Sequence, residues 1–125
     1  MTLAQYPFTP KRITVAGHQL AYLDEGEGPA VVMVHGNPSW SYLYRNVVSA
    51  LRGGYRCIVP DHIGCGFSDK PQDYPYRLGD HIENLTALLE HLQVERCVLI
   101  LHDWGGAIGM GWAGHVVVYR CVRIQ

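Results

Sequence analysis

Asp103 stands where a carboxylate could do covalent chemistry. The apolar run Val98-Leu99-Ile100-Leu101-His102 leads into it, and Trp104-Gly105-Gly106 comes directly after it. That order predicts a buried strand, a tight glycine-lined turn with Asp103 at its centre, and a helix from Ala107 to about Gly114. A serine in such a turn needs a base before it can attack. A carboxylate, with an ordinary pKa of roughly 4, is already ionised at neutral pH. It can displace a leaving group from carbon unaided and become an ester of the substrate. Aspartate also favours helix N-caps, so the residue type alone fits a plain capping role as well.

Asn37 is the second candidate. The run Ala30-Val31-Val32-Met33-Val34 ends in His35-Gly36-Asn37-Pro38. Gly36 allows an unusual backbone angle and Pro38 cannot donate a backbone hydrogen bond. The Asn37 N–H is then expected to point into a cleft, with the Trp104 N–H as a second donor. Two such donors stabilise a developing oxyanion. A simple turn leaving a strand is the plainer alternative.

The elements that must position these residues alternate. Ile13-Thr14-Val15 and Gln19-Leu20-Ala21-Tyr22-Leu23 flank Ala16-Gly17-His18 and predict a hairpin. Strands are expected at Ala30 to Val34, Arg56 to Val59 and Arg96 to Leu101. Trp40, Leu43, Tyr44, Val47, Val48 and Leu51 fall on one helical face, stopped by Gly53-Gly54. Leu78, Ile82, Leu85, Leu88, Leu89 and Leu92 mark a second amphipathic helix. A hairpin followed by alternating strands and helices implies an α/β fold with a doubly wound, mostly parallel sheet. Ligands bind such sheets at the carboxyl ends of their strands.

Three motifs in order make a specific likeness: His35-Gly36-Asn37-Pro38, then Asp61-His62-Ile63-Gly64-Cys65-Gly66 with Ser68-Asp69-Lys70-Pro71, then His102-Asp103-Trp104-Gly105-Gly106. Together they resemble the haloalkane dehalogenase branch of the α/β-hydrolases, from about Arg12 to Ala113. Within it, residues 35–42 and 61–66 are most similar to the β-lactone decarboxylases. Epoxide hydrolases share the aspartate turn but more often carry an aromatic residue at the place of Asn37. The resemblance implies that Asp103 is the nucleophile of the elbow. It implies that the Asn37 side chain and the Trp104 indole N–H hold the departing anion, and that Ala30 to Val34 lies beside the nucleophile strand. The substrate implied is small and apolar, bearing a halide, lactone or epoxide. No cofactor and no metal are implied.

Composition excludes several classes. Of 125 residues, 48% are apolar and 17% charged, as in a globular domain. A net charge of −1 offers no footprint for nucleic acid. No apolar run reaches the roughly 18–20 residues of a membrane span. The N-terminus lacks the features of a secretory signal. Cys57, Cys65, Cys97 and Cys121 show no paired spacing. Reduced cysteines and a cytoplasmic location are therefore expected. Cys65, in the loop near the cleft, is the rival nucleophile.

Other signals carry less. Gly109-Met110-Gly111-Trp112-Ala113-Gly114 matches a dinucleotide fingerprint but has no strand leading into it. Its small residues fit close packing of a helix on the sheet. Asn84-Leu85-Thr86 lies inside a predicted helix. His35, His62 and His102 lack metal-ligand spacing and are expected to donate to backbone carbonyls. Asp61 is expected to brace the Gly64 to Ser68 loop.

Hydrolysis of an alkyl ester on Asp103 needs a water and a general base. In this fold the acid and the histidine come after the nucleophile in the chain. The one histidine after Asp103 is His115, which an unbroken helix would carry about 18 Å away. Residues 114–125, with three consecutive valines, depart from the family pattern. The chain thus reads as one partial domain over 1–125, the N-terminal half of an α/β-hydrolase fold, cut before the cap and late strands. A fragment or frame-shifted product, inactive by itself, is expected. The alternative is a non-catalytic remnant or an interaction fragment.

Overall fold

The computed structural model describes residues 5–114 and the backbone of Arg120–Ile124. The N-terminal residues 1–4, His115 and the valine run at 116–118 lie outside the described residues. Strands β1 (Lys11–Val15), β2 (His18–Glu25), β3 (Ala30–Val34), β4 (Arg56–Pro60), β5 (Val98–His102) and β6 (Arg120–Ile124) form one sheet in the order β1-β2-β4-β3-β5-β6. The β1–β2 hairpin and its junction with β4 are antiparallel; β4, β3, β5 and β6 run parallel. Helix α1 (Arg45–Leu51), helix α2 (Leu78–His91) and helix α3 (Trp104–Ala113) complete the fold.

Strand side chains alternate between two apolar layers, as a period of two requires. Val32, Val34, Ile58, Leu99 and Leu101 join Leu85, Leu88 and Leu89 of α2 and Ile108 and Trp112 of α3. Val31, Met33, Cys57 and Val59 face the other way, onto Tyr44, Val48, Tyr6 and Phe8. Both faces of β3, β4 and β5 are thus covered. This explains why β3 reads as an unbroken apolar run and not an alternating one. The expected neighbours pair directly, with Val34 opposite Leu101, so the residues after both strands meet at one sheet edge.

Several boundaries differ from the sequence reading, among them the hairpin strands, which run longer than expected and take in His18. The helix expected from Trp40 is a 3-10 turn at Ser41–Tyr44 followed by α1. Trp40 packs instead with Tyr6, Tyr42 and Phe67. The strand leading into Asp103 runs Val98–His102, not Arg96 to Leu101. Helix α3 starts at Trp104, three residues before the expected Ala107, so Asp103 alone joins strand to helix. Part of the atypical tail, Arg120–Ile124, pairs with β5.

Candidate active site

Close approach of backbones dictates the turn around Asp103. Asp103 has φ 55° and ψ −128°, a left-handed backbone that costs a non-glycine residue free energy. It persists because its surroundings leave no room to relax. A Cβ on Gly105 would strike the Val34 carbonyl oxygen, and one on Gly36 would lie 2.5 Å from the Asp103 Cβ. Gly106 N–H donates to the Asp103 carbonyl at 2.9 Å, tying the turn to the first residues of α3. Gly36 and Gly105 are thus steric requirements of seating the loop after β3 against the loop after β5.

That seating brings the sequence-predicted residues together. The Asn37 N–H donates to Asp103 Oδ2 at 3.3 Å. Instead of opening freely into the cleft, the donor faces the carboxylate. Asn37 and Trp104 line one cavity of about 240 Å³, with Gly36, His62, Cys65 and His81. Asp103 and Asn37 are exposed, and Trp104 is 46% exposed. The two side chains are neutral donors, able to hold an anion without pairing off the nearby carboxylate.

Two histidines stiffen the floor. His35 Nδ1 lies 2.7 Å from the Gly36 carbonyl, and His62 Nε2 lies 2.8 Å from the His35 carbonyl. Both nitrogens must carry protons to donate there. His35 Nε2 then accepts the His62 N–H at 3.0 Å. Burial pushes the His35 pKa down to about 4 and holds His62 well below its ordinary value. Both rings are neutral at pH 7 and occupied with backbone, as expected from the sequence; His102, expected to donate to a backbone carbonyl as well, does not, its buried Nδ1 having no hydrogen-bond partner. Among the described residues, no group of three or more histidine, cysteine or acidic side chains could hold a metal ion.

Asp61 is the other fixed point. Its buried carboxylate accepts the Ser41 N–H at 2.7 Å and the Phe67 N–H at 3.0 Å. Its carbonyl accepts the Ser68 hydroxyl at 2.6 Å. It therefore braces the expected loop and also ties in the 3-10 turn. Burial raises its pKa against these hydrogen bonds. Cys65 is half-buried, and burial pushes its thiol up, away from the reactive thiolate.

Helix α3 packs tightly through its glycines. A Cβ on Gly109 would meet the Leu101 side chain, and one on Gly111 the Ile82 side chain. This close packing accounts for the glycine pattern without a nucleotide.

The fold has counterparts among known proteins. The alpha/beta hydrolase fold family matches residues 29–117. The chain belongs to the α/β-hydrolase fold family. A cis-3-alkyl-4-alkyloxetan-2-one decarboxylase of Shewanella oneidensis is 57% identical over 110 residues, covering 86% of this chain and 35% of that protein. Haloalkane dehalogenase 2 of Mycobacterium bovis is 37% identical over 120 residues, covering 96% and 41%. The epoxide hydrolase CorEH, solved without ligand, superposes with a TM-score of 0.84 at 30% identity, covering 93% of this chain and 41% of that one. This α/β-hydrolase chain thus spans well under half the length of these relatives.

The sequence reading missed His81 as a cavity residue. His81 sits four residues before Leu85 on the apolar stripe of α2, and that spacing was the available signal: a histidine on a face meant for the core.

Proposed function

We propose that Asp103 attacks carbon, that the Asn37 and Trp104 side chains hold the leaving anion, and that the whole protein acts on β-lactones of the oxetan-2-one class. The observation that carries this reading is the placement of Asp103 alone between β5 and α3, its Oδ2 3.3 Å from the Asn37 N–H. The 57% identity to an oxetan-2-one decarboxylase favours the lactone over the halide.

The chemistry balances without a further reagent. Asp103 oxygen bonds to C4 of the lactone as the C4–O bond breaks, and that electron pair stays on the ring oxygen, now part of a carboxylate. The carboxylate can then leave as CO2. Its bonding pair forms the C3–C4 double bond, and the C4–O bond to Asp103 breaks, restoring the nucleophile. A haloalkane also gives an ester on Asp103, but that ester needs water and a base. His35 and His62 are neutral and engaged with backbone. We therefore propose that the 125-residue chain does not complete a hydrolytic cycle. The inactivity expected from the sequence covered β-lactones as well as haloalkanes; lactone decarboxylation as written uses neither water nor a base, and we propose that it escapes that expectation. An epoxide would open to an alkoxide that needs a proton, which donors suited to holding anions do not readily give up.

The test compares a cis-3,4-dialkyl oxetan-2-one with a 1-bromoalkane on this chain. The expected result is alkene and CO2 from the lactone, lost in Asp103→Asn, and from the bromoalkane at most one equivalent of bromide with no alcohol released. Alkene formation unchanged in Asp103→Asn, or β-hydroxy acid as the only lactone product, would contradict the reading.

A further inference from the structure

His81 lines the cavity beside Asn37 and Trp104. The residue is only 8% exposed, and its Nδ1 is sealed from water with no hydrogen-bond partner. A buried N–H without an acceptor is costlier than a bare lone pair, because strong donors are almost always paired. The proton therefore belongs on Nε2, the ring nitrogen on the far side from the sealed one.

The ring is held from several sides. It lies 5.3 Å from the His62 ring, 6.4 Å from Tyr76 and 6.5 Å from Trp104, edge to face with the indole at 78°. Tyr76 adopts φ 52°, a strained backbone for a bulky residue. Its ring closes over Gly64, where a Cβ would come within 2.7 Å of it. Its hydroxyl donates to the Pro71 carbonyl, and its ring meets Tyr74 edge-on at 4.7 Å. The wall that carries His81 is thus fixed before any ligand arrives.

We infer that His81 is a specificity-determining donor, the third point of a neutral wall that fits a two-oxygen carboxylate better than a single halide. The inference rests on reading this cavity as the leaving-group pocket. A halide is one centre, and two donors can share it. A carboxylate released from a lactone has a second oxygen to satisfy. His81 Nε2–H supplies the extra donor beyond Asn37 and Trp104. Burial lowers the His81 pKa against the nearby Asp80, so the ring stays neutral at pH 7 and adds no positive charge to the cavity.

Anion titration decides this without any reaction. Hexanoate and bromide are titrated into the 125-residue Asp103→Asn chain, followed by the indole N–H resonance of Trp104. His81→Phe, which keeps a ring, is expected to weaken hexanoate about tenfold and to leave bromide within about twofold, as for loss of one hydrogen bond to a charged group. His81→Gln, a neutral donor, is expected to restore hexanoate. Equal weakening of both anions, no change in either, or absence of hexanoate binding in the parent would overturn the inference. Failure of Asp103 to form an ester with a bromoalkane would instead sink the nucleophile reading, while the titration still decides the role of His81.

Discussion

The residues that shape this site are buried titratable groups whose charge the fold controls. His35 is neutral in the fold, with its pKa depressed to about 4 by burial, whereas in the unfolded chain it takes up a proton near its ordinary value. Its contribution to stability is complete above about pH 6.5 and is lost as pH falls towards 4, with a slope of up to about 1.4 kcal/mol per pH unit. His62 and His81 shift in the same direction. Asp61, raised by burial, works the opposite way. Three groups against one predict a lower urea midpoint at pH 5 than at pH 7.5; equal midpoints would contradict this. Asp61→Ala strips the acceptor from one buried and one part-buried N–H group and is expected to cost about 3 kcal/mol, since each unpaired group costs about 1–3 kcal/mol. At the site, Asn37→Ala and Trp104→Phe should each slow ester formation on Asp103 by about tenfold or more, in the range of one lost anion-stabilising donor. Unchanged labelling rates in both would remove them from the leaving-group pocket.

At the scale of elements, the elbow depends on two adjacent glycines that are not equivalent. A Cβ at Gly105 runs into the Val34 carbonyl, while one at Gly106 meets nothing within 4 Å. Gly105→Ala should therefore destabilise the chain by more than about 2 kcal/mol through overpacking. Gly106→Ala, inside α3, should be neutral or stabilising by up to about 1 kcal/mol. Chemical unfolding of the two variants separates them, and equal effects would count against the close seating of β3 on the elbow. The same pair shows what the sequence could disclose. Apolar runs announced β3 and β5, and the motifs after them announced that Asn37 and Asp103 meet. Gly105-Gly106 read as loop because glycine usually marks turns, but here it marks a helix start pressed against another strand. Trp40 matched helical spacing yet belongs to an aromatic cluster with Tyr6 and Phe67, partners remote in sequence. His81 was hidden for a similar reason: its meaning comes from the loop over Gly64 and from Trp104, and both reach it only through tertiary contact.

At the scale of the whole molecule, the site is an open cleft at the carboxyl ends of β3 and β5. Both faces of β3, β4 and β5 are covered, yet Trp104 and Met110 of α3 are 46% and 54% exposed. Apolar surface of this kind invites association. The 125-residue chain is expected to bind an apolar dye and to self-associate in sedimentation at micromolar concentration. A strictly monomeric chain without dye binding would contradict this. The relatives extend well beyond the matched region, this chain covering 35% of one and 41% of another. The elbow is nevertheless built entirely from β3, β5, α3 and the loops between them, all within the matched region. The central claim is that Asp103 is a nucleophile set on carbon by its own turn, and its first step needs no base. Intact-mass analysis with peptide mapping after incubation with 1-bromohexane tests it most directly. The predicted result is a single hexyl adduct on Asp103, persistent and absent in Asp103→Asn. An adduct confined to Cys65 and unchanged in Asp103→Asn would contradict it.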